Sequence, residues 1–463
     1  MSEPRITELR HAQVTLLPRC FTAMTALVTV LLCGLSANLA AQQEDLDVAA
    51  HSAGAADYSL LCAGCHDGAM LEAPQRNALA LYTPRRIVES LESGVMAVQG
   101  MPLTRRQKRD VAFFLTGKRF DDLQTTATTF ACEPTRAGDG PLNQAPIWNG
   151  WGAGLDNARY QANERVLNRD NVGSLELKWG FAFPGATRSR SQPLVTPEAV
   201  FIGSQEGVVY ALDAQNGCPL WSFKADAEVR AAPILDLDEN GRPDSLLFGD
   251  FSANAYAIDA QTGELRWKTP VHKHRLATIT GSTAVHDGIM VAPVSSLEII
   301  AASRTEYSCC SFRGAVVGLD VATGQILWTH FTTPPPRPTV ENTAGTQMQG
   351  PSGAPVWSGI TIDTKRSLVY ATTGENYSSP ATDTSDAVFA IDLVSGVRQW
   401  VTQVTPNDAW NGACSRRAPN CPEENGPDYD LGASALLATT REGRDLVIAG
   451  SKSGMSYALD PDN

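Results

Sequence analysis

Basic residues are scarce in this chain of 463 residues, in which 37 Lys and Arg stand against 50 Asp and Glu, for a formal net charge of −13. This deficit argues against nucleic-acid and anionic-membrane partners, because both require a basic face. Long apolar runs are also scarce. The run from Phe21 to Leu35 stands out, but its length of about 15 residues is less than the roughly 20 that a spanning helix needs. We therefore expect no integral membrane span in the processed protein.

The first 41 residues have the organisation of a cleaved signal peptide. Arg5, Arg10 and Arg19 precede the apolar run, and small residues follow it up to Ala41. A charged region, an apolar region and a small-residue cleavage site are the three parts of a secretory leader. An uncleaved anchor is the alternative, which the shortness of the run disfavours. We therefore predict a signal peptide over residues 1–41 and a periplasmic protein.

The segment Cys62-Ala63-Gly64-Cys65-His66 has the spacing by which two cysteines bind a haem covalently while the next histidine ligates its iron. A zinc half-site is the alternative. It would need a second ligand pair, and no further Cys or His follows up to Lys118. We predict haem c in a small all-α cytochrome c domain over residues 42–120, followed by a linker over residues 121–147 that is rich in Thr, Gly and Pro.

Two methionines compete for the sixth position on the haem iron. Met101 precedes a proline, and Met-Pro is a common ligand dipeptide in small c-type cytochromes. Met96 lies about a loop's length before a helix that Thr104 can cap, which is where such domains usually place the ligand. We favour Met96 and keep Met101 as the alternative.

The ten cysteines of the chain fit an oxidising compartment. Two lie in the leader and two are assigned to the haem. The remainder is an even number that could form three disulfides: Cys132, Cys218, Cys309, Cys310, Cys414 and Cys421. The cysteine count therefore agrees with the compartment that the leader predicts.

An internal repeat occupies the chain beyond the linker. In each copy Gly follows Asp by four residues and Trp follows the same Asp by eight. The copies are YALDAQNGCPLW, YAIDAQTGELRW, VGLDVATGQILW and FAIDLVSGVRQW, beginning at Tyr210, Tyr256, Val317 and Phe389. Alternating strands, a turn led by Asp and opened by Gly, and a Trp that packs on the neighbouring unit predict four-stranded propeller blades.

The array of repeats is incomplete in this chain. Trp179 closes an earlier, degenerate copy, and a fifth copy opens at Tyr457 and breaks off at Asn463. A propeller with an open edge would expose unpaired strands. We therefore expect this chain to be a truncated version of a longer protein.

The repeat resembles that of the pyrroloquinoline quinone (PQQ) dehydrogenases. The order of the two domains, haem first and propeller second, resembles the cytochrome-type polyvinyl alcohol dehydrogenases in particular, over about Asp57 to Asn463. The resemblance implies a mainly β fold: a PQQ-type propeller over residues 148–463, with about five of eight blades present, behind the cytochrome c domain. Similar repeats also build non-catalytic scaffolds, so the site residues must carry the functional argument.

The resemblance implies which residues surround the quinone. The adjacent cysteines Cys309-Cys310 resemble the vicinal disulfide that covers the quinone, with two separate disulfides as the alternative. Trp357 matches the indole that stacks under the ring, and Lys452 matches the basic residue beside the quinone oxygens. Arg190 and Arg230, each three residues before a proline, are implied to bind the cofactor's carboxylates, with plain surface arginines as the alternative.

The resemblance also implies oxygen ligands for a hard cation, most simply calcium. Glu298 matches the family's carboxylate ligand, with Glu306 as the alternative. The family's asparagine ligand corresponds to either Glu375 or Asn376 in the segment YATTGEN.

The catalytic carboxylate is implied by a family stretch Asp-x-Trp-Asp, from which this chain departs. Here the stretch Asp408-Ala409-Trp410-Asn411 ends in Asn, and an insertion with Cys414 and Cys421 follows it. The segment Asp428-Tyr429-Asp430 looks like the displaced end of the motif. We therefore choose Asp428 as base and metal ligand and Asp430 as an extra metal ligand, and we keep Asp408 as the alternative base.

A separate acidic loop has oxygen donors at alternate positions. Asp236, Asp238 and Asn240 precede Gly241, and Asp244 closes the loop. This pattern is typical of calcium ligation without the flanking helices of an EF-hand. We expect a structural calcium ion at a blade edge, with a plain acidic turn as the alternative.

Taken with the resemblance, these residues predict a periplasmic enzyme that oxidises an alcohol at PQQ and calcium. Its reduced quinone would pass electrons to its own haem c and then to an external acceptor, soluble or membrane-bound, such as another cytochrome c. Polyvinyl alcohol and secondary alcohols are the candidate substrates. The rival hypothesis is a propeller scaffold or haem c electron carrier that lacks PQQ.

Overall fold

The structure is a computed structural model that describes residues 49–69, 73–92, 94–120, 142–161, 164–186 and 188–463. The predicted signal peptide and most of the predicted linker, including Cys132, lie outside these ranges. None of the helices within them combines the length and the apolar character needed to cross a bilayer.

Short helices form the amino-terminal part of the described chain. They are α1 (49–61), a π-helical turn (Cys65–Ala69), α2 (Arg76–Leu79), α3 (Pro84–Glu92), α4 (Ala97–Gly100) and α5 (Arg105–Thr116). Helix α5 begins at the predicted cap, where Thr104 and Gln107 exchange hydrogen bonds in a capping box. Tyr58 from α1, Ile87 from α3 and Val111 from α5 pack in one apolar core. The predicted helical region ahead of the β-structure is confirmed.

Antiparallel sheets make up the rest of the described chain. The first two sheets contain β1 (Leu194–Val195), β2 (Ala199–Gly203), β3 (Val208–Asp213), β4 (Pro219–Lys224), β5 (Ile234–Leu237), β6 (Pro243–Gly249), β7 (Asn254–Asp259) and β8 (Leu265–Pro270). The third contains β9 (Ala277–Thr278), β10 (Ala284–His286), β11 (Ile289–Ser296), β12 (Ala315–Asp320) and β13 (Ile326–Phe331), with the one-turn helix α6 (Glu298–Ala301) between β11 and β12.

The remaining strands complete two more sheets and two small ribbons. The ribbons are β14 (Arg337–Glu341) with β15 (Gln347–Gly350), and β16 (Ser352–Gly353) with β19 (Asn376–Ser378). The fourth sheet contains β17 (Thr361–Asp363), β18 (Leu368–Thr372), β20 (Ala387–Asp392) and β21 (Arg398–Gln403), and the fifth contains β22 (Leu436–Thr439), β23 (Asp445–Gly450) and β24 (Ser456–Leu459). Single 3₁₀ turns lie at Val172–Ser174 and Cys414–Arg416.

Each sheet is an up-and-down blade that packs face to face on the next blade. Buried apolar residues fill every junction: Phe201 with Phe248 between the first two blades, Leu247 with Val317 between the second and third, and Val369 with Val291 between the third and fourth. The fifth blade packs on the fourth in the same way. The predicted mainly β propeller is confirmed for the described residues.

The Asp, Gly and Trp of the repeat form the contacts along the seam, the line where neighbouring blades meet. The indole N–H of each repeat tryptophan donates to a backbone carbonyl beside the Asp of the following blade, as from Trp221 to Ala260 at 3.2 Å and from Trp267 to Val321 at 2.6 Å. A Cβ added to Gly324, which has a φ of +72°, would lie 2.5 Å from the Trp267 ring. Glycine is therefore required both for its backbone angle and for the space that the indole fills. Trp179 makes the same contact to Ala214, as the degenerate first copy predicts.

Candidate active site

Three carboxylates from two blades meet at one point of the propeller. Glu375 lies between β18 and β19, whereas Asp428 and Asp430 lie on the loop that follows the insertion closed by the Cys414–Cys421 disulfide. One oxygen from each of the three carboxylates lies within 4.8 Å of the other two. The structure thus brings Asp428 and Asp430, after the insertion, next to Glu375.

The electrostatics of this cluster call for a positive charge. Glu375 is buried, and neither of its carboxylate oxygens has a hydrogen-bond partner within the described structure. Burial, followed by the charges of Asp430 and Asp428, raises the pKa of Glu375 well above its ordinary value. An unsatisfied buried carboxylate is costly unless a counter-ion compensates it. A buried carboxylate with both oxygens unpaired, next to two further carboxylates, therefore fits a hard cation such as calcium.

An indole and an ammonium group complete the same site. Lys452 Nζ lies 2.7 Å from Asp428 Oδ1 and 3.0 Å from Asp430 Oδ2, and 5.7 Å from the centre of the Trp357 ring. The Trp357 indole N–H donates to Asp430 Oδ2 at 2.9 Å. Burial raises the pKa of Asp428 although the contact with Lys452 lowers it. The raised pKa makes the Asp428 carboxylate a stronger base. The structure therefore brings together Trp357, Lys452 and the three carboxylates.

Two other predicted site residues use their side chains to hydrogen-bond backbone groups. Asp408 is buried, and its carboxylate accepts the backbone N–H groups of Asp428 at 3.3 Å and Tyr429 at 2.9 Å. The side chain of Asn376 donates to Ser352 and accepts from Thr382. Asp408 thus holds the loop that carries Asp428. Of the alternatives, Glu375 has side-chain oxygens without a hydrogen-bond partner in the described structure, whereas the side-chain oxygen of Asn376 is already bound by Thr382.

The vicinal pair Cys309-Cys310 forms a buried disulfide across a cis peptide bond, and Cys218 is also disulfide-bonded. The sulfur atoms of Cys309 and Cys310 lie 3.8 and 3.9 Å from the carbonyl oxygen of Tyr377, which is two residues after Glu375. Formation of this disulfide excludes the alternative in which the two cysteines pair elsewhere.

Glu298 binds the backbone that directly follows the vicinal disulfide. Its buried carboxylate accepts the N–H groups of Ser311 and Phe312 at 2.9 and 2.7 Å and the hydroxyl of Tyr307 at 2.7 Å. Burial alone would raise the pKa of Glu298, but hydrogen bonding and charge from His274 and the other donors outweigh it, and the pKa is lowered. The structure does not place Glu298 in the carboxylate cluster, and its alternative Glu306 is exposed.

Arg190 and Arg230 lie on the segments that precede the first and second blades, whereas the three carboxylates lie on later segments of the chain. Arg230 is mostly buried, with its guanidinium 5.5 Å from the Phe251 ring centre. Burial and then the positive charge of Arg190 lower the pKa of Arg230 to about 10. Two neighbouring guanidinium groups are suited to a dicarboxylate ligand.

The helical domain contains a cleft lined by residues of the predicted haem motif. Cys62 and Cys65 are free and partly exposed thiols, of which Cys62 lines the cleft. Buried His66 donates from Nδ1 to the Pro74 carbonyl at 2.5 Å. This hydrogen bond leaves Nε2 for the iron. Met96 lines the same cleft with His66, whereas Met101 is 74% exposed and does not line it. The structure thus brings Met96, the favoured ligand, to the histidine.

The acidic loop is not gathered around a common point. Asp238 Oδ1 accepts the backbone N–H groups of Asn240 and Arg242, both at 2.8 Å, as in an ordinary turn. Both oxygens of Asp244 are bound by Arg266, at 2.6 and 2.9 Å, and Asp236 does not join them in a metal-binding group within the described structure. This geometry corresponds to the acidic-turn alternative.

No sequence motif pointed to Asp386, which lies close to Asp408 and to the loop that carries Asp428. Asp386 is buried just ahead of β20, and neither of its carboxylate oxygens has a hydrogen-bond partner within the described part of the chain. Burial, followed by the charges of Asp408 and Asp430, raises the pKa of Asp386 to about 9. A carboxyl six residues before the repeat Asp has no motif of its own, so only the fold reveals it.

The fold and site together define a β-propeller with a carboxylate cluster beside an indole and a lysine. The PQQ family model described as "Glucose/ethanol/alcohol dehydrogenase, beta-propeller domain" matches residues 148–463. The chain therefore belongs to the PQQ β-propeller dehydrogenase family.

Named relatives agree with this placement. A polyvinylalcohol dehydrogenase of Pseudomonas sp is 38% identical over 426 residues, which cover 89% of this chain and 66% of the relative. A polyvinylalcohol dehydrogenase of Sphingopyxis sp. (strain 113P3) is 35% identical over 428 residues, which cover 88% and 64%. The chain thus spans about two thirds of the length of these curated relatives.

A solved structure shares the fold. The quinohemoprotein alcohol dehydrogenase ADHIIG from Pseudomonas putida HK5 matches with a TM-score of 0.53 and 22% identity, covering 70% of this chain and 47% of that chain. At this level of identity the match concerns the fold alone.

Proposed function

We propose that this chain belongs to a periplasmic quinohaemoprotein dehydrogenase that oxidises alcohols at PQQ and a hard cation and passes the electrons to its own haem c. One observation carries the proposal: Glu375, Asp428 and Asp430 converge beside Trp357 and Lys452. The buried, unsatisfied oxygens of Glu375 support a cation there, because no protein group compensates them within the described structure.

Each residue of the site has a separate task in this proposal. Glu375, Asp428 and Asp430 hold the cation, Trp357 provides a flat face for a planar ring, and Lys452 places an ammonium beside that face. When bound, the quinone accepts a hydride and the cation polarises its carbonyl. Asp428 accepts the proton of the substrate hydroxyl, since burial raises its pKa. Asp408 positions this base through the two N–H groups that it accepts.

The finer parts of the proposal rest on the sequence motifs and on the helical cleft. Cys62 and Cys65 would hold haem c covalently, and His66 and Met96, which line the cleft with Cys62, would ligate its iron. The leader and the haem motif support a periplasmic location. The names of the relatives support polyvinyl alcohol or another secondary alcohol as substrate. The electron acceptor is proposed to be a further cytochrome c or a comparable one-electron carrier.

The test compares two carboxylate variants in the protein matured with haem and supplied with PQQ and calcium. Asp428→Asn should retain haem and PQQ but lose alcohol-dependent haem reduction by about 10²–10⁴-fold, the range for a lost general base. Asp408→Asn should mainly lower stability. Normal turnover in Asp428→Asn would assign the base elsewhere. Absence of any quinone in the wild type would favour the scaffold or electron-carrier hypothesis.

A further inference from the structure

Helix α6 is a single turn that contacts both the helical domain and the segment bearing the vicinal disulfide. We propose that the buried side chain of Gln75 positions the haem domain on α6 and so provides the internal electron route from the quinone site to the haem. This inference rests on the proposed function, because it requires both cofactors.

The haem side of the route begins at the predicted iron ligand. His66 Nδ1 donates to the carbonyl of Pro74 at 2.5 Å, and Pro74 is joined to Gln75 by a peptide bond. The Gln75 side-chain amide then donates to the carbonyl of Ala301 in α6 at 3.1 Å. Gln75 is only 6% exposed, which is unusual for a glutamine. Its burial shows that this contact is an integral part of the packing between the two domains.

The quinone side of the route begins at the first residue of the same helix. The Glu298 carboxylate accepts the N–H groups of Ser311 and Phe312, and Ser311 directly follows Cys310. A second connection leaves α6 at Ile299, whose carbonyl accepts the N–H of Gly412 at 2.9 Å. The preceding residue, Asn411, has its side-chain nitrogen 3.7 Å from Cys309 Sγ. Covalent bonds and short hydrogen bonds therefore run without a gap from His66 to the disulfide.

Hydrogen bonds from Arg188, Arg86 and Asn77 also join the two domains, but none of them joins the histidine segment to α6 through a buried side chain. Arg188 donates to the Leu81 carbonyl at 2.6 Å and Arg86 to the Asp226 carbonyl at 3.1 Å, and both reach the first blades rather than α6. Asn77 does reach α6, through Ile300, but this hydrogen bond is long, at 3.4 Å, and exposed. Gln75 is thus the buried polar contact that joins the histidine segment to α6.

The proposed step is electron transfer and makes or breaks no bond. Each electron converts ferric haem iron to ferrous iron, and a one-electron acceptor such as ferricyanide reoxidises it. Two such cycles account for the two electrons of one alcohol oxidised to a carbonyl compound, and the two protons pass to solvent. Gln75 contacts none of the reacting atoms and acts only through the position of His66 and α6.

The experiment uses Gln75→Met, which keeps the length of the side chain but removes the donor. The matched control is Asn77→Ala, two residues further along, whose side chain also reaches α6. In the haem- and PQQ-loaded protein, stopped-flow absorbance follows haem reduction after alcohol is added. A parallel assay uses a small dye that takes electrons directly from the quinone. We expect haem reduction to slow by about tenfold in Gln75→Met, less than the ~10²-fold that a 1 Å misplacement can cause. The dye-linked rate and the haem reduction potential should be unchanged.

A second measurement needs no PQQ. Hydrogen exchange of the backbone amides of residues 300–303 should become faster in Gln75→Met than in Asn77→Ala, because α6 loses its buried partner. Gln75→Asn, which withdraws the amide by one methylene, should act in the same direction and replaces Gln75→Met if that variant does not fold. Unchanged haem reduction in both Gln75 variants, whatever the exchange result, would overturn the inference. Absence of dye-linked oxidation in the wild type would instead overturn the proposed function.

Discussion

Replacing Glu375 with glutamine should change stability in opposite directions with and without calcium. Without a cation, the Glu375 carboxyl is protonated in the folded protein at pH values where it is ionised in the unfolded chain, because burial and Asp430 raise its pKa. The folded state then binds the extra proton, so the free energy of unfolding falls as pH rises above the unfolded pKa. The slope is about 1.4 kcal/mol per pH unit for one group. Glutamine carries no titratable proton and removes this loss.

With calcium the sign reverses, since the cation binds the ionised carboxylate. A ligand present at 100 times its Kd stabilises the folded state by about 2.7 kcal/mol, and a 100-fold weaker site at the same concentration gains only about 0.4 kcal/mol. Glu375→Gln should therefore be more stable than the wild type in chelator at pH 7.5 but should gain much less from calcium.

Differential scanning calorimetry of the propeller transition, with chelator and with calcium, measures both effects. Glu206→Gln is the matched control, because Glu206 is also a buried carboxyl whose pKa burial raises, but it lies on the first blade away from the cluster. The control should keep the full calcium gain. Equal calcium gains in the wild type and Glu375→Gln would refute the assignment of the cation to this cluster.

Three further outcomes are expected. Because the folded pKa of Asp386 is about 9, its contribution to stability is lost as pH rises from the unfolded value toward 9; urea unfolding of Asp386→Asn should show a pH dependence flatter by about 1.4 kcal/mol per unit. Met96→Ala should abolish the methionine-to-iron absorption band and Met101→Ala should keep it; the reverse result would exchange the two assignments. Gly324→Ala should destabilise the propeller by more than about 1 kcal/mol, whereas Gly345→Ala, with a similar φ but open space around it, should cost less; equal thermal shifts would remove the indole contact as the cause.

The propeller could be predicted from the sequence because its determinants are local. Within each copy of the repeat the Asp, Gly and Trp lie within nine residues, and their turn and seam contacts repeat in the structure, as for Gly324 and Trp267. The disulfide between Cys414 and Cys421 likewise closes within the insertion that separates Asp408 from Asp428. The sequence could therefore predict a closed insertion between Asp408 and the Asp-Tyr-Asp segment.

Contacts between distant segments could not be predicted in this way. Gln75 meets a carbonyl 226 residues away, and Asp386 becomes notable only because folding buries it beside Asp408. In the acidic loop, by contrast, the sequence suggested a site that the fold does not assemble. Its alternating oxygen donors match calcium ligation, but Arg266, 22 residues beyond Asp244, binds the carboxylate that closes the loop. Only the fold distinguishes these cases.

Equilibrium binding of PQQ to the haem-containing protein, measured by dialysis with calcium or with chelator, tests the central claim most directly. The proposed site predicts one bound PQQ per chain that requires the cation, with binding weakened in Glu375→Gln and in Trp357→Ala. Absence of PQQ binding in the presence of calcium, or equal binding in chelator, would contradict the claim that the carboxylate cluster and the indole form a quinone site.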